Sequence, residues 1–179
     1  MKKIKLVRTY GPLPTLTKKV TRRSDPPGEH GKSNQRNKKQ SQYGIRLAEK
    51  QKVRHNYALS ERQFVKYVNQ AKRSKQLTGD ALLQLLENRL DTSIYRLGLA
   101  PTILAARQLI SHKHILVNGK ALNIPSYQCN TGDELQSKQA VHHLTGDKGK
   151  IQVTRLETNR PQIELDVKER LVVEYYSRK

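Results

Sequence analysis

The dipeptide Asn118-Gly119, set between the apolar runs Ile115-Leu116-Val117 and Lys120-Ala121-Leu122, leaves the backbone few choices. Both residues tolerate the positive φ that a two-residue type I′ turn requires, so the stretch reads as a tight hairpin. Ahead of it, Thr102 is a suitable N-cap for a helix from Ile103 to His112, because its hydroxyl can accept from an amide left unpaired in the first turn. At helical spacing Ile103, Ala105, Ala106, Leu109 and Ile110 share one side. Arg107, Gln108, Ser111 and His112, with Leu104 among them, share the other. Only Lys113-His114 separates this helix from the hairpin. The order is therefore helix, tight corner, hairpin, with one face for a core and one for a ligand.

Charge suggests the ligand. Lys and Arg number 35 against 15 Asp and Glu, a formal net charge of +20. A compact chain carrying that excess repels itself unless something anionic is bound, and nucleic acid is the obvious counterpart. Residues 1–60 hold 16 basic and 3 acidic side chains, and residues 61–179 hold 19 and 12. With no Trp, one Phe and 35% hydrophobic residues, any core must be modest and built mainly from Leu, Ile and Val. One cysteine, Cys129, excludes an internal disulfide and a multi-cysteine zinc site. No apolar run approaches the roughly 20 residues of a transmembrane helix. The N-terminus has no secretory apolar region and is too broken by Pro and Gly for an amphipathic presequence, so the chain is expected to stay where it is made.

Residues 1–42 carry Pro12, Pro14, Pro26 and Pro27 among many Lys and Arg. That composition predicts an extended basic arm with little to bury, lying along phosphates and ordering on binding. From Tyr43 the period is helical. Ile45, Ala48 and Lys52 recur on one side of a first helix, and Arg46, Lys50 and Arg54 recur at i,i+4 on another. Ser60 with Gln63 makes a capping box for a second helix, whose buried stripe is Phe64, Tyr67, Val68 and Ala71. Asp80 is the expected N-cap of a third, in which Leu82, Leu83, Leu85, Leu86 and Leu90 centre a core. Asp91 re-caps the chain before Thr92 to Leu97, and Gly98 supplies a C′ stop. Arg89 and Arg96, seven apart, share a face that can join Arg107 on RNA; the alternative for Arg89 is an ion pair with Glu87, Asp91 or another acid. Residues 151–154 and 163–165 alternate like strands. Asp166 with Glu169 is a further potential capping box, opening a helix through Leu171, Val172 and Tyr175.

Catalytic constellations are missing. The sequence has no phosphate-binding G-x-x-x-x-G-K-[ST], no G-x-G-x-x-G, no H-E-x-x-H and no G-x-S-x-G. His112 and His114 flank Lys113 in a basic patch that would repel a metal cation, so contact with phosphate or a base edge suits them better than a metal pair. His142 and His143 read as loop residues. Cys129 reads as a small, partly buried hydrophobe. No enzyme, metal or cofactor is expected.

The string ARQLISHKHILVNGKALNIPSY resembles the RNA-binding module named after small ribosomal subunit protein four. YGIRLAEKQKVRHNYALSERQF, LLQLLENRLDTSIYRLG and LVVEYYSRK are similar to the rest of that family in bacteria and plastids. The resemblance implies an α+β fold: a discontinuous helical domain (43–88 with 166–179), an inserted module of two helices and a small β-sheet (89–165), and the extended arm (1–42). It further implies binding to a multi-helix junction of 16S-type small-subunit rRNA, with a later role at the mRNA entry side and in decoding accuracy, beside small-subunit proteins three and five.

Since side chains cannot enter the deep groove of helical RNA, recognition is expected to rest on shape, phosphates and 2′-hydroxyls. The expected RNA-contacting residues are Arg46, Lys50, Lys52, Arg54, Arg89, Arg96, Arg107, Gln108, Ser111, His112, Lys113, His114, Asn118 and Lys120. Two features depart from the family: there are no N-terminal metal-binding cysteines, and Ile103 and Ala105 stand where many members have a basic and an acidic residue. The competing expectation is a small non-ribosomal RNA-binding stress protein carrying the same module. GPLPTLTKK, IPSYQC and LVVEYYSR look more like plastid members, which implies a plastid ribosome, with a cyanobacterial cytoplasm as the alternative.

Overall fold

The computed structural model describes residues 3–23, 25–31, 41–137, 153–155 and 165–177. Among them the fold is α+β, with seven helices and a four-stranded sheet. The chain forms two compact units, Met1–Leu82 with Ile163–Lys179, and Leu83–Gln162.

The first unit contains α1 (Lys3–Tyr10), α2 (Gln42–Asn56), α3 (Glu61–Lys72), the start of α4 (Thr78–Glu87) and α7 (Glu169–Ser177). Ser41 caps α2 through its hydroxyl, which accepts from the Gly44 amide. Ser60 and Gln63 form the expected capping box on α3, satisfying two first-turn donors reciprocally. Phe64, Val68 and Ala71 recur at i, i+4 and i+7 and are buried, while Tyr67 is half-buried. Full burial of a side chain such as Phe64 is worth about 1.5–3 kcal/mol. Helix α7 packs closely along α2, burying Val172 and Tyr175.

Three expectations change here. Residues 3–10 are helical rather than extended, and Leu6, Leu13 and Leu16 are buried. Their average composition hid three leucines spaced to reach a core, and α1 packs on α2, with the Thr15 hydroxyl donating to the Asn56 carbonyl. Asp80 is not the N-cap of α4 but lies inside its first turn, where a carboxylate favours the positive end of the helix dipole. Helix α7 begins at Glu169, so Asp166 lies short of a capping position; its carbonyl instead accepts from Lys52 Nζ.

The second unit contains α5 (Leu90–Arg96), α6 (Ile103–Ser111), β1 (Ile115–Val117), β2 (Lys120–Ala121), β3 (Glu134–Ser137) and β4 (Val153–Arg155). The sheet order is β2-β1-β3-β4, antiparallel throughout. Val117 pairs with Lys120 across the turn, and Asn118 and Gly119 take φ of 50° and 78°, as the type I′ turn requires. Leu90, Ile94, Ala106, Ile110, Ile115, Val117, Cys129 and Leu135 form the core. Gly98, at φ 74°, ends α5 as expected: the Leu99 amide donates to the Ile94 carbonyl and the Gly98 amide to that of Tyr95. Of the strands expected late in the chain, residues 153–154 lie in β4, and 151–152 and 163–164 fall outside the described residues, as do His142 and His143.

Candidate nucleic-acid interface

The corner between α6 and β1 is built by its backbone. Thr102 accepts from the Ala105 amide at the start of α6. At its end the Lys113 amide donates to the Ile110 carbonyl at 2.8 Å and the His114 amide to that of Leu109 at 3.0 Å. This pairing requires the residue just past the helix to be left-handed, a position that favours glycine. Lys113 occupies it at φ 60°. A lysine is thus held in a conformation that costs it free energy, between two histidines.

Around that corner Gln108, Ser111, His112, Lys113 and Lys120 are exposed and His114 is half-buried. The imidazoles of His112 and His114 lie nearly parallel, 6° apart in plane with centroids 6.0 Å apart. Their side chains form no hydrogen bond or ion pair with any described residue. They present donors, a planar amide and flat rings to solvent, the groups that meet phosphates, 2′-hydroxyls and unstacked bases.

The other expected contacts are occupied internally, some of them completely. Arg89 is buried and grips Asp91 with two hydrogen bonds of 2.9 and 2.7 Å. Arg107 Nε donates to the same carboxylate at 2.7 Å. Asp91 also accepts from the Thr92 amide and has no exposed side-chain surface. Arg96 forms a fork with buried Glu87 at 3.0 and 2.9 Å. Asn118 donates from its amide to Asp133 and accepts from the Glu134 backbone, fastening the hairpin to β3.

In the first unit Arg46 pairs with Glu174 at 2.7 Å. Lys50, 4% exposed, pairs with Glu61 at 2.7 Å and sits over the Tyr175 ring, 4.6 Å from its centroid. Arg54 contacts Gln51, His55 and Glu61. Lys50 and Arg89 are therefore buried and paired within the fold, Arg89 in the ion pair with Asp91 that the sequence offered as the alternative. Helical spacing carried no information about Glu61, which meets Lys50 from the next helix, and the helical face expected for Arg89 and Arg96 does not form, because Arg89 is the extended N-cap of α5.

The electrostatics match a binding surface better than a reactive one. Burial pushes the Cys129 thiol up to about 12, against a hydrogen bond from Ser93 that favours the thiolate. A thiol held protonated is a poor nucleophile. No group of three or more potential metal ligands occurs among the described residues. No described helix is long and apolar enough to cross a membrane.

Two family models match the chain. Residues 1–87 match the family model described as the ribosomal protein S4/S9 N-terminal domain, and residues 88–135 match the S4 domain. The small ribosomal subunit protein uS4 of Thermosynechococcus vestitus is 49% identical over 198 residues, covering 99% of this chain and 96% of the relative. The protein uS4c of Prototheca wickerhamii is 47% identical, covering 99% and 96%. The protein uS4c of Rhodomonas salina is 48% identical, covering 98% and 96%.

Proposed function

Since the chain belongs to the small ribosomal subunit protein uS4 family, a family of ribosomal structural proteins rather than enzymes, we propose that it grips a multi-helix junction of 16S-type small-subunit rRNA. It binds early, the body of the subunit assembles around it, and it then contributes to decoding accuracy at the mRNA entry side beside small-subunit proteins three and five. The observation that carries this reading is the corner at Lys113. Six polar side chains, Gln108, Ser111, His112, Lys113, His114 and Lys120, stand exposed or half-exposed on the stretch around it and make no hydrogen bond or ion pair with a described residue, while nearby arginines do.

Division of labour follows from that contrast. Arg89, Arg96 and Arg107 hold the second unit together, and the corner meets the RNA. Lys113 and Lys120 neutralise phosphates and release counterions. Gln108 and the histidines orient the protein on a folded junction. Both uS4 of cyanobacteria and the chloroplast form uS4c are among the relatives, and we assign this chain to a plastid ribosome on the phrases it shares with plastid members.

The test is binding of the purified full chain to a small-subunit rRNA transcript across a salt series. Specific binding that weakens steeply with salt, together with cosedimentation with small subunits rather than free large ones, is expected. Indifference to the transcript at moderate ionic strength overturns the reading.

A further inference from the structure

We infer that the outer face of α3 is a second RNA-contacting site, a phosphate-binding stripe formed by Arg62, Lys66, Asn69 and Arg73. This rests on the reading of the chain as an rRNA-binding protein and adds a site on the first unit.

Geometry supplies the first reason. At 3.6 residues per turn these four side chains fall within about 60° of arc, on the side of the helix opposite buried Phe64, Val68 and Ala71. Arg73, at the C-cap, keeps right-handed helical backbone angles, so the row continues through it. All four are exposed. The row is about 16 Å long from Arg62 to Arg73 at 1.5 Å rise per residue, long enough to meet several phosphates of one strand.

Charge balance supplies the second. A solvated helix face normally intersperses both signs. Here no Asp or Glu occurs from Arg62 to Gly79. Glu61, the acid at the start of α3, is taken by Lys50, Arg54 and the Tyr176 hydroxyl. None of the stripe side chains makes a hydrogen bond or ion pair with a described residue.

Contrast with α2 supplies the third. Its cations Arg46, Lys50, Lys52 and Arg54 are all engaged internally, so they are poor candidates for this unit's grip on RNA. Cations left uncompensated and aligned on one rigid face are the better ones. Asn69 adds a neutral donor suited to a phosphate oxygen or 2′-hydroxyl.

The test uses the full chain and a small-subunit rRNA transcript. Arg62→Gln, Lys66→Gln and Arg73→Gln together are expected to lower the slope of log affinity against log salt by about 2 to 3 units, as loss of three phosphate contacts should. A parallel Lys113→Gln, Lys120→Gln variant reports on the corner. If the corner variant lowers the slope and the stripe variant does not, the stripe is a solvated face and this proposal fails while the function stands. If wild type itself ignores the transcript, the functional reading fails. A readout on the unmutated protein guards against misfolding: RNA is expected to protect Lys66 from a lysine-acylating reagent, and equal labelling with and without RNA overturns the proposal.

Discussion

Arg107 Nε lies 2.7 Å from Asp91 Oδ2, the oxygen that Arg89 also holds at 2.7 Å. One fully buried carboxylate is thus shared by two guanidiniums, one from α6 and one from the residue preceding α5. The arrangement fixes the first-turn end of α5 against α6 and leaves Arg107 with a structural task. Removing the carboxylate would leave two cations facing each other in a poorly solvated place.

Asp91→Asn is therefore expected to destabilise the chain by about 3 kcal/mol, the cost of breaking a buried ion pair by deleting one partner. Arg107→Ala should cost less, about 1–2 kcal/mol, because its side chain is 24% exposed and Arg89 still balances Asp91. Urea denaturation measures both. In RNA binding, Arg107→Ala is expected to leave the salt slope unchanged; a fall of about one unit would make Arg107 a phosphate contact after all.

Lys113 separates folding from binding more cleanly. Its φ of 60° is one that glycine adopts without penalty. Lys113→Gly is expected to raise the stability of the free protein by about 0.5–1 kcal/mol while lowering the salt slope of RNA binding by about one unit. Opposite signs in the two measurements would be hard to obtain from a residue that serves folding alone. Ala58, at φ 49° past the end of α2, is the control: Ala58→Gly should stabilise to a similar degree and leave RNA binding unaffected.

Several local signals in the sequence are borne out, although the Asp80 and Asp166 caps are not. The Asn118-Gly119 turn, the Thr102 cap, the Ser60-Gln63 box and the Gly98 stop each depend on residues within a few positions, and each is present. The exposure of Gln108, Ser111, His112 and Lys113 follows from the same local helical spacing. What the sequence did not disclose was pairing at a distance: Glu174 is 128 residues from Arg46, and Arg107 is 16 from Asp91. An i,i+4 row of cations looks alike whether acids from another helix meet it, as on α2, or not, as on α3. The buried leucines of the N-terminal segment escaped notice because composition averages over positions, whereas burial depends on which positions are apolar.

Acid should lower the stability of the first unit in two stages. The Arg54 guanidinium can only donate, so the 2.9 Å contact between its Nη2 and His55 Nε2 needs a neutral imidazole accepting there. Burial first, and the Arg54 charge second, lower the His55 pKa from 6.5. Unfolding then takes up a proton below 6.5, so this part of the stability is complete above 6.5 and is lost as pH falls through the lowered folded value. For Glu61, burial pushes the carboxyl up, but hydrogen bonds from Lys50 and Tyr176 and the neighbouring cations outweigh it, and its pKa is lowered from 4.5. Its contribution is complete above 4.5 and disappears at lower pH. Denaturation midpoints measured between pH 7.5 and 3.5 should fall in two stages, His55→Gln flattening the first and Glu61→Gln the second.

Asn118 carries two loads that substitution can divide. Its left-handed φ of 50° shapes the hairpin, and its side-chain amide bridges to Asp133 at 3.0 Å and to the Glu134 backbone at 2.9 Å. Asn118→Gly keeps the turn accessible and deletes both hydrogen bonds, which at an exposed site should cost about 1 kcal/mol. Asn118→Ala deletes the same bonds and leaves a Cβ at a left-handed position that alanine tolerates less well than asparagine, so it should fall roughly 1–2 kcal/mol below Asn118→Gly. If the amide instead served mainly to touch RNA, both variants would fold like wild type and differ only in binding. Thermal unfolding of the free protein separates the cases, and the expected order of stability is wild type, then Asn118→Gly, then Asn118→Ala. Because the hairpin sets where Lys120 stands relative to Lys113, RNA affinity should follow that same order even though neither variant changes the chain's charge.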